Sequence, residues 1–124
     1  VVKGKFKGKE VISNEIYNKN PLKLKKSKSV FKLVKHLKKA SIVSVDIQTG
    51  RTHQIRIHAS QLQHPILFDN KYGDVLFNKA IDIDFRRTLA LHANSISFKD
   101  QNSKVIKVTA KYPDELKNLI EALM

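Results

Sequence analysis

Cysteine is absent from this sequence. Disulfides, thiolate nucleophiles and cysteine-ligated zinc are therefore excluded. Acidic residues are scarce, 11 against 24 lysines and arginines in 124 residues. The clustered acids that a metal-dependent nuclease needs are not found, and there is no His-Glu-x-x-His pair, so no metal site is expected. No apolar run reaches the roughly 18–20 residues that span a bilayer, and no long basic amphipathic helix marks a membrane-surface binder. A membrane partner is not expected. The start, Val1-Val2-Lys3-Gly4-Lys5, has no apolar signal region, and a cytoplasmic location is expected. There is no initiating methionine there either, and the sequence is expected to begin inside a longer protein. Internal repeats and a second domain are also missing.

What is present fits one domain. The length suits a single compact unit, and 41% hydrophobic residues can build a core. The net charge of +13 repels itself unless a polyanion accepts it. Lysines laid on phosphates release counterions, so RNA or DNA is the expected partner.

Residues 1–10 alternate lysine and glycine around Phe6, which predicts a strand end running into a basic loop. A short strand is expected over Val11–Tyr17, then a turn at Asn18-Lys19-Asn20-Pro21. The lysine-rich Leu22–Ser29 reads as a solvated loop whose charge can meet phosphate. Val30–Leu37 and Ser41–Ile47 read as a hairpin around Lys38-Lys39-Ala40, and its edge lysines discourage aggregation. Gly50 frees the backbone for a sharp turn, and Thr52 is a good N-cap for a helix from His53 to about Gln63. Pro65 stops it. Ile55, His58, Ala59 and Leu62 share its packed face; His53, Arg56 and Ser60 lie opposite. Residues 66–74 are irregular and 78–87 a polar connection. A strand is expected over Leu89–Phe98, with a bulge near Asn94. A loop at Lys99–Ser103 leads to a return strand within Lys104–Lys111. Pro113, Asp114 and Glu115 open a last helix, with Leu116, Leu119, Ile120 and Leu123 as its apolar stripe.

Chemistry concentrates in Gln48–His58. Arg51 and Arg56 carry forked guanidinium groups suited to carboxylate or phosphate, at a helix start that favours anions. Ordinary surface ion pairs are the plain alternative. His53 and His58 are five apart, so they are not a one-face metal pair. His58 reads as a satisfied core histidine, His36 as solvated, His64 as a turn former, and His92 as a half-buried strand residue. Asp69 and Asp74 bracket Asn70-Lys71-Tyr72-Gly73 and read as loop builders through side-chain-to-backbone bonds. Composition and spacing stop at a basic α/β domain with an arginine-rich helix start that binds RNA.

The run Thr49-Gly50-Arg51-Thr52-His53-Gln54-Ile55-Arg56-Ile57-His58 resembles the signature of the RluA-type RNA pseudouridine synthases. His64-Pro65-Ile66, Phe68-Asp69-Asn70-Lys71-Tyr72-Gly73-Asp74 and Leu91-His92-Ala93 follow in the family's order, and the resemblance covers most of residues 30–124. Phe68, where many relatives have glycine, looks most like the RluC branch, which modifies large-subunit (23S) ribosomal RNA. The resemblance implies an α+β fold with a mixed, largely antiparallel sheet and packed helices. It also implies isomerisation of uridine to pseudouridine without a cofactor, through an aspartate that attacks a flipped nucleotide. It makes Arg56 the group that orients that aspartate. Arg51, His53 and Gln54, with Lys23, Lys25, Lys26 and Lys28, are expected at the RNA surface, and Thr49, Gly50, Thr52, Tyr72 and His92 around the cleft. The family's His-Arg-Leu/Ile-Asp nucleophile motif is not in these residues. The chain is therefore expected to be a single partial domain over 1–124, the C-terminal part of the catalytic domain. Alone it should be inactive, with the remainder of that domain and an N-terminal S4-like domain as further partners. A non-catalytic RNA-binding module is the alternative.

Overall fold

A computed structural model describes the backbone of residues 1–19 and 22–124 and the side chains of 1–16 and 24–124. Of the turn predicted at residues 18–21, residues 18 and 19 are instead the end of a strand, while residues 20 and 21, like the Lys23 side chain, lie outside the described residues. Four strands form one antiparallel sheet: β1 (Val2–Lys3), β2 (Lys9–Lys19), β3 (Leu22–His36) and β4 (Ala40–Ile47), in the order β1-β4-β3-β2. The hairpin of β3 and β4 stands where the sequence placed it, and Lys39 takes a left-handed conformation in its turn (φ 56°). The strands extend further than expected. Leu22–Ser29 is not a loop but the first half of β3, paired with β2 through Ser29↔Ile12, Ser27↔Asn14 and Lys25↔Ile16.

The alternation that makes this half a strand is polar. Ser27 and Ser29 are buried in line with Phe31 on one face, while Lys26, Lys28 and Lys32 project from the other. The period of two is present, but serine occupies its inner positions.

Helix α1 (Gln54–Gln61) packs on that inner face with Gln54, His58 and Ala59 buried. Its end is built by Gln63 in a left-handed conformation (φ 64°). There Gln63 N–H donates to the Ser60 carbonyl and His64 N–H to the Ala59 carbonyl, each at 3.0 Å. These two bonds close the last turn as a Schellman motif, ahead of Pro65. Ile66, Leu67 and Phe68 then enter the core with Val2, Phe6, Phe31, Leu37 and Ala40.

Helix α2 (Val75–Ala80) was not expected. Asp74 caps it, accepting from the Phe77 N–H at 2.9 Å. The expected strand Leu89–Phe98 is also corrected. Residues 89–94 are irregular, Ala90 bonding to the Leu67 carbonyl, and β5 covers only Ser95–Lys99. It pairs with β6 (Val105–Thr109) in a separate two-stranded hairpin, so the parity shift near Asn94 marks a strand start rather than a bulge. Helix α3 (Asp114–Ala122) matches the expected last helix. Leu119 is buried and Leu116, Ile120 and Leu123 pack against the core. No helix among the described residues is long and apolar enough to cross a membrane.

Candidate active site

The site begins where β4 ends. Gln48 N–H extends the ladder by one bond to the Lys28 carbonyl (3.1 Å). The chain then turns through Thr49, Gly50 and Arg51. Gln54 organises this turn. Its Oε1 accepts from the Thr49 hydroxyl (2.5 Å) and from Arg51 N–H (3.1 Å). Its Nε2 donates to the Lys28 carbonyl and to Ser29 Oγ, both at 2.9 Å. Thr49 Oγ1 in turn accepts from Lys28 N–H at 3.1 Å. Two sequence expectations change here. Gln54 is 3% exposed and braces the turn from inside, so it is not an RNA-facing side chain. Thr52 is not the N-cap; His53 is, in a left-handed conformation (φ 54°), with no side-chain cap bond. The Gln54 side chain instead accepts from Arg51 N–H and so holds the turn that precedes the helix.

Arg56 lies near the start of α1 and meets a carboxylate of this chain. Its Nε and Nη2 donate to Asp69 Oδ2 and Oδ1 at 2.8 and 2.7 Å. The Asp69 side chain is fully buried and that of Arg56 is 19% exposed. This bidentate pair uses one edge of the guanidinium and leaves its Nη1 end outside the pair. The sequence reading placed Asp69 in a loop-building role, and that role is real: Oδ1 also accepts from Lys71 N–H (2.9 Å) and Tyr72 N–H (3.0 Å). The pairing with Arg56 was missed. The available signal was an acid directly after the apolar run Ile66–Phe68, because a carboxylate carried into a core needs a cation or several donors.

Burial alone would raise the Asp69 pKa. The Arg56 bonds and the Tyr72 and Lys71 amides outweigh it and hold the carboxyl down at about 2. The bond to Asp69 likewise raises Arg56 above its ordinary value.

Tyr72 closes the cluster. The Arg56 guanidinium stacks 5.2 Å from its ring centroid and the Lys71 ammonium lies at 5.4 Å. Its hydroxyl is 3.1 Å from His53 Nδ1, and the two rings meet edge to face at 5.7 Å. Gly73 makes the loop possible: a Cβ there would fall 2.3 Å from the Asp69 carbonyl oxygen. Phe68, just before Asp69, is buried in a left-handed conformation (φ 63°).

The other expected residues separate. Arg51 Nε donates to the Lys26 carbonyl at 2.8 Å, which places the turn beside the lysines of β3. Lys26 and Lys28 lie on the outer face; Lys25 has the opposite parity. His92 is not in a strand and contacts Ala110 (3.3 Å) and Tyr112, not the Arg56 cluster. His36 is exposed as expected, with Nε2 2.8 Å from the Phe6 carbonyl. His64 shapes its turn through a 2.8 Å contact of Nδ1 with the Lys3 carbonyl. His58 is fully buried among polar side chains, and burial lowers its pKa.

The arginine clamp, the Arg-Thr-His-Gln turn and the Asp69–Gly73 loop define a class. A profile of the RNA pseudouridylate synthase family matches residues 3–61, and the chain is similar to that family. Relatives it resembles carry the name ribosomal large subunit pseudouridine synthase C. It is 33% identical over 124 residues to ribosomal large subunit pseudouridine synthase C of Pasteurella multocida, covering 99% of this chain and 38% of that protein. The Yersinia pestis protein of that name is 34% identical over 100 residues, 80% of this chain and 31% of the relative. The Buchnera aphidicola subsp. Baizongia pistaciae protein is 39% identical over 113 residues, 83% of this chain and 36% of the relative. The chain thus spans about a third of the length of these relatives. Its fold is also that of human RNA pseudouridylate synthase domain containing 1. That comparison gives a TM-score of 0.70 at 24% identity, over 98% of this chain and 62% of that one.

Proposed function

We propose that this chain supplies the arginine-bearing wall of a site that isomerises uridine to pseudouridine in large-subunit ribosomal RNA. The carrying observation is the Arg56 clamp: Asp69 fixes one edge of the guanidinium, and its Nη1 end remains to meet a second carboxylate. That carboxylate is the nucleophilic aspartate of the reaction, supplied by a segment other than residues 1–124. It attacks the flipped nucleotide, the base detaches and turns, and it is rejoined through carbon. No oxidant or cofactor is consumed, because the product is an isomer. Arg56 holds the carboxylate charged and aimed. Arg51 and His53, with Lys26 and Lys28 on the open sheet face, meet the RNA backbone, and Tyr72 shapes the cleft wall. The rest of the catalytic domain and an S4-like domain complete the parent protein, which works in the cytoplasm.

The test is tritium release from ribosomal RNA labelled at uridine C5. Residues 1–124 alone release none; the parent polypeptide that joins them to a His-Arg-x-Asp segment does. In that parent, Arg56→Ala lowers turnover by about 100-fold or more and RNA affinity by less than about 3-fold. Equal losses of both would remove the orienting role. Full activity from 1–124 alone would remove the external nucleophile.

A further inference from the structure

His58 follows Arg56 by two positions on α1 but points into the sheet and is fully buried. Among the described residues, every side chain that bonds it is neutral. Asn14 comes from β2; Ser27 and Ser29 come from β3. Nε2 lies 2.9 Å from Asn14 Oδ1 and 3.0 Å from Ser27 Oγ, and Nδ1 lies 2.8 Å from Ser29 Oγ. Gln54 and Gln61 of α1 stand behind these partners.

The protons can be assigned by elimination. Asn14 Nδ2 donates to Gln61 Oε1 at 2.7 Å, so the carbonyl oxygen Oδ1 is the atom turned toward the ring. The Ser27 hydroxyl has Asn14 O and Oδ1 as acceptors, at 3.0 and 3.1 Å. Nε2 therefore faces acceptors and carries the hydrogen, and Nδ1 is a bare lone pair. The Ser29 hydroxyl has to donate to it. That spends Ser29's one proton and leaves its lone pairs to accept from Gln54 Nε2. Gln54 is then held with its oxygen toward the Thr49 hydroxyl and Arg51 N–H. A flipped Gln54 amide would set its nitrogen against Arg51 N–H, donor against donor, and its oxygen against Ser29 Oγ and the Lys28 carbonyl, acceptor against acceptor.

We propose that His58 is a positioning residue of the candidate site: its Nδ1 lone pair orients Ser29 and, through Ser29, the Gln54 amide that fixes the Thr49–Arg51 turn. The catalytic consequence rests on the proposed isomerase reading; the ordering of the turn does not.

The two ring nitrogens can be replaced one at a time. In His58→Asn the new carbonyl oxygen takes the place of Nδ1, so Ser29 keeps its acceptor while the Asn14 link is lost. In His58→Gln the amide nitrogen takes the place of Nε2, so the Asn14 link survives and Ser29 loses its acceptor. Both variants lower the thermal midpoint. They differ at the Arg51 amide, read by hydrogen exchange in the full chain. Exchange stays within about 3-fold of the parent sequence in His58→Asn and rises by about 10-fold or more in His58→Gln. Ser29→Ala, a milder change, speeds Arg51 exchange in the same way, and Ser27→Ala does not. Pseudouridine formation by the parent polypeptide follows the same order, kcat dropping about 10-fold in His58→Gln with KM within about 3-fold. Equal Arg51 exchange in the two His58 variants, or in the two serine variants, overturns the proposal. A parent polypeptide that binds RNA but forms no pseudouridine overturns the isomerase reading instead, and the exchange contrast still decides the role of His58.

Discussion

Asp69→Asn tests the clamp at its least exposed atom. The carboxylate accepts four bonds, two from Arg56 and one each from Lys71 N–H and Tyr72 N–H. Asparagine can keep the three made by Oδ1. At Oδ2 it sets an N–H₂ group against Arg56 Nε–H, and it removes the charge that the guanidinium faces. Breaking a buried ion pair costs about 3–5 kcal/mol, because the surviving charge is left without compensation. The Arg56 side chain is 19% exposed and recovers some hydration, so the expected loss at pH 7 is about 2–3 kcal/mol. For a chain of this size that lowers the melting midpoint by about 10 °C. The acid limb adds a second reading. The carboxyl titrates at about 2 in the fold against an ordinary 3.8, so on acidification the unfolded chain takes up the proton first. The pair's contribution, about 2 kcal/mol, is full above the ordinary value and is lost as the pH falls toward 2. Urea denaturation at pH 7, 4 and 2.5 should show the parent sequence losing this increment and Asp69→Asn lacking it. A loss under about 0.5 kcal/mol at pH 7, or identical acid slopes in the two proteins, would refute the argument.

Gly73→Ala places a Cβ 2.3 Å from the Asp69 carbonyl oxygen. Backbone cannot yield cheaply, so the variant loses about 2 kcal/mol or more. The Tyr72 ring resonances lose the shift imposed by His53, as read by denaturation and NMR. Neutralising Lys26, Lys28 and Lys32 to glutamine reduces the slope of log affinity against log salt for RNA by about 2. The same change at Lys35, Lys38 and Lys39 is the comparison, and an unchanged slope in the first set would make the outer-face lysines solvated charge.

What the sequence made legible follows how each residue's role is encoded. Apolar β-branched residues reported β4 directly, and the stripe Leu116, Leu119, Ile120 and Leu123 reported α3. The first half of β3 was hidden because its buried positions are Ser27 and Ser29, chosen for His58 and Gln54 rather than for apolar burial. No hydropathy pattern marks a serine as inward. Helix α2 was missed because Val75 and Leu76 are exposed and its start rests on one cap, Asp74. His58 was read correctly, since a histidine on an apolar helix face has to find partners. At the site, the spacing of Arg51, His53 and Arg56 was visible, but the Arg56–Asp69 pair spans 13 positions and depends on the turn after Pro65. The burial of Gln54 was equally invisible, because a glutamine in a basic motif looks like a surface group until the turn folds over it.

Phe68 sets the tempo of this site. It holds a left-handed backbone more often taken by glycine; the residue is buried, and the Arg87 guanidinium lies 5.9 Å from its ring centroid. The loop carrying Asp69 is thus nailed at its first residue to the hydrophobic core. Asp69 cannot drift away from Arg56 on the fast timescale of surface loops, because the ring would first have to leave its packing. Its release is tied to the rare openings of the core itself, whose free energies approach that of global unfolding. The amide of Asp69 should therefore exchange with the slowest class in the chain, although its neighbours Asn70 and Lys71 stand in open solvent.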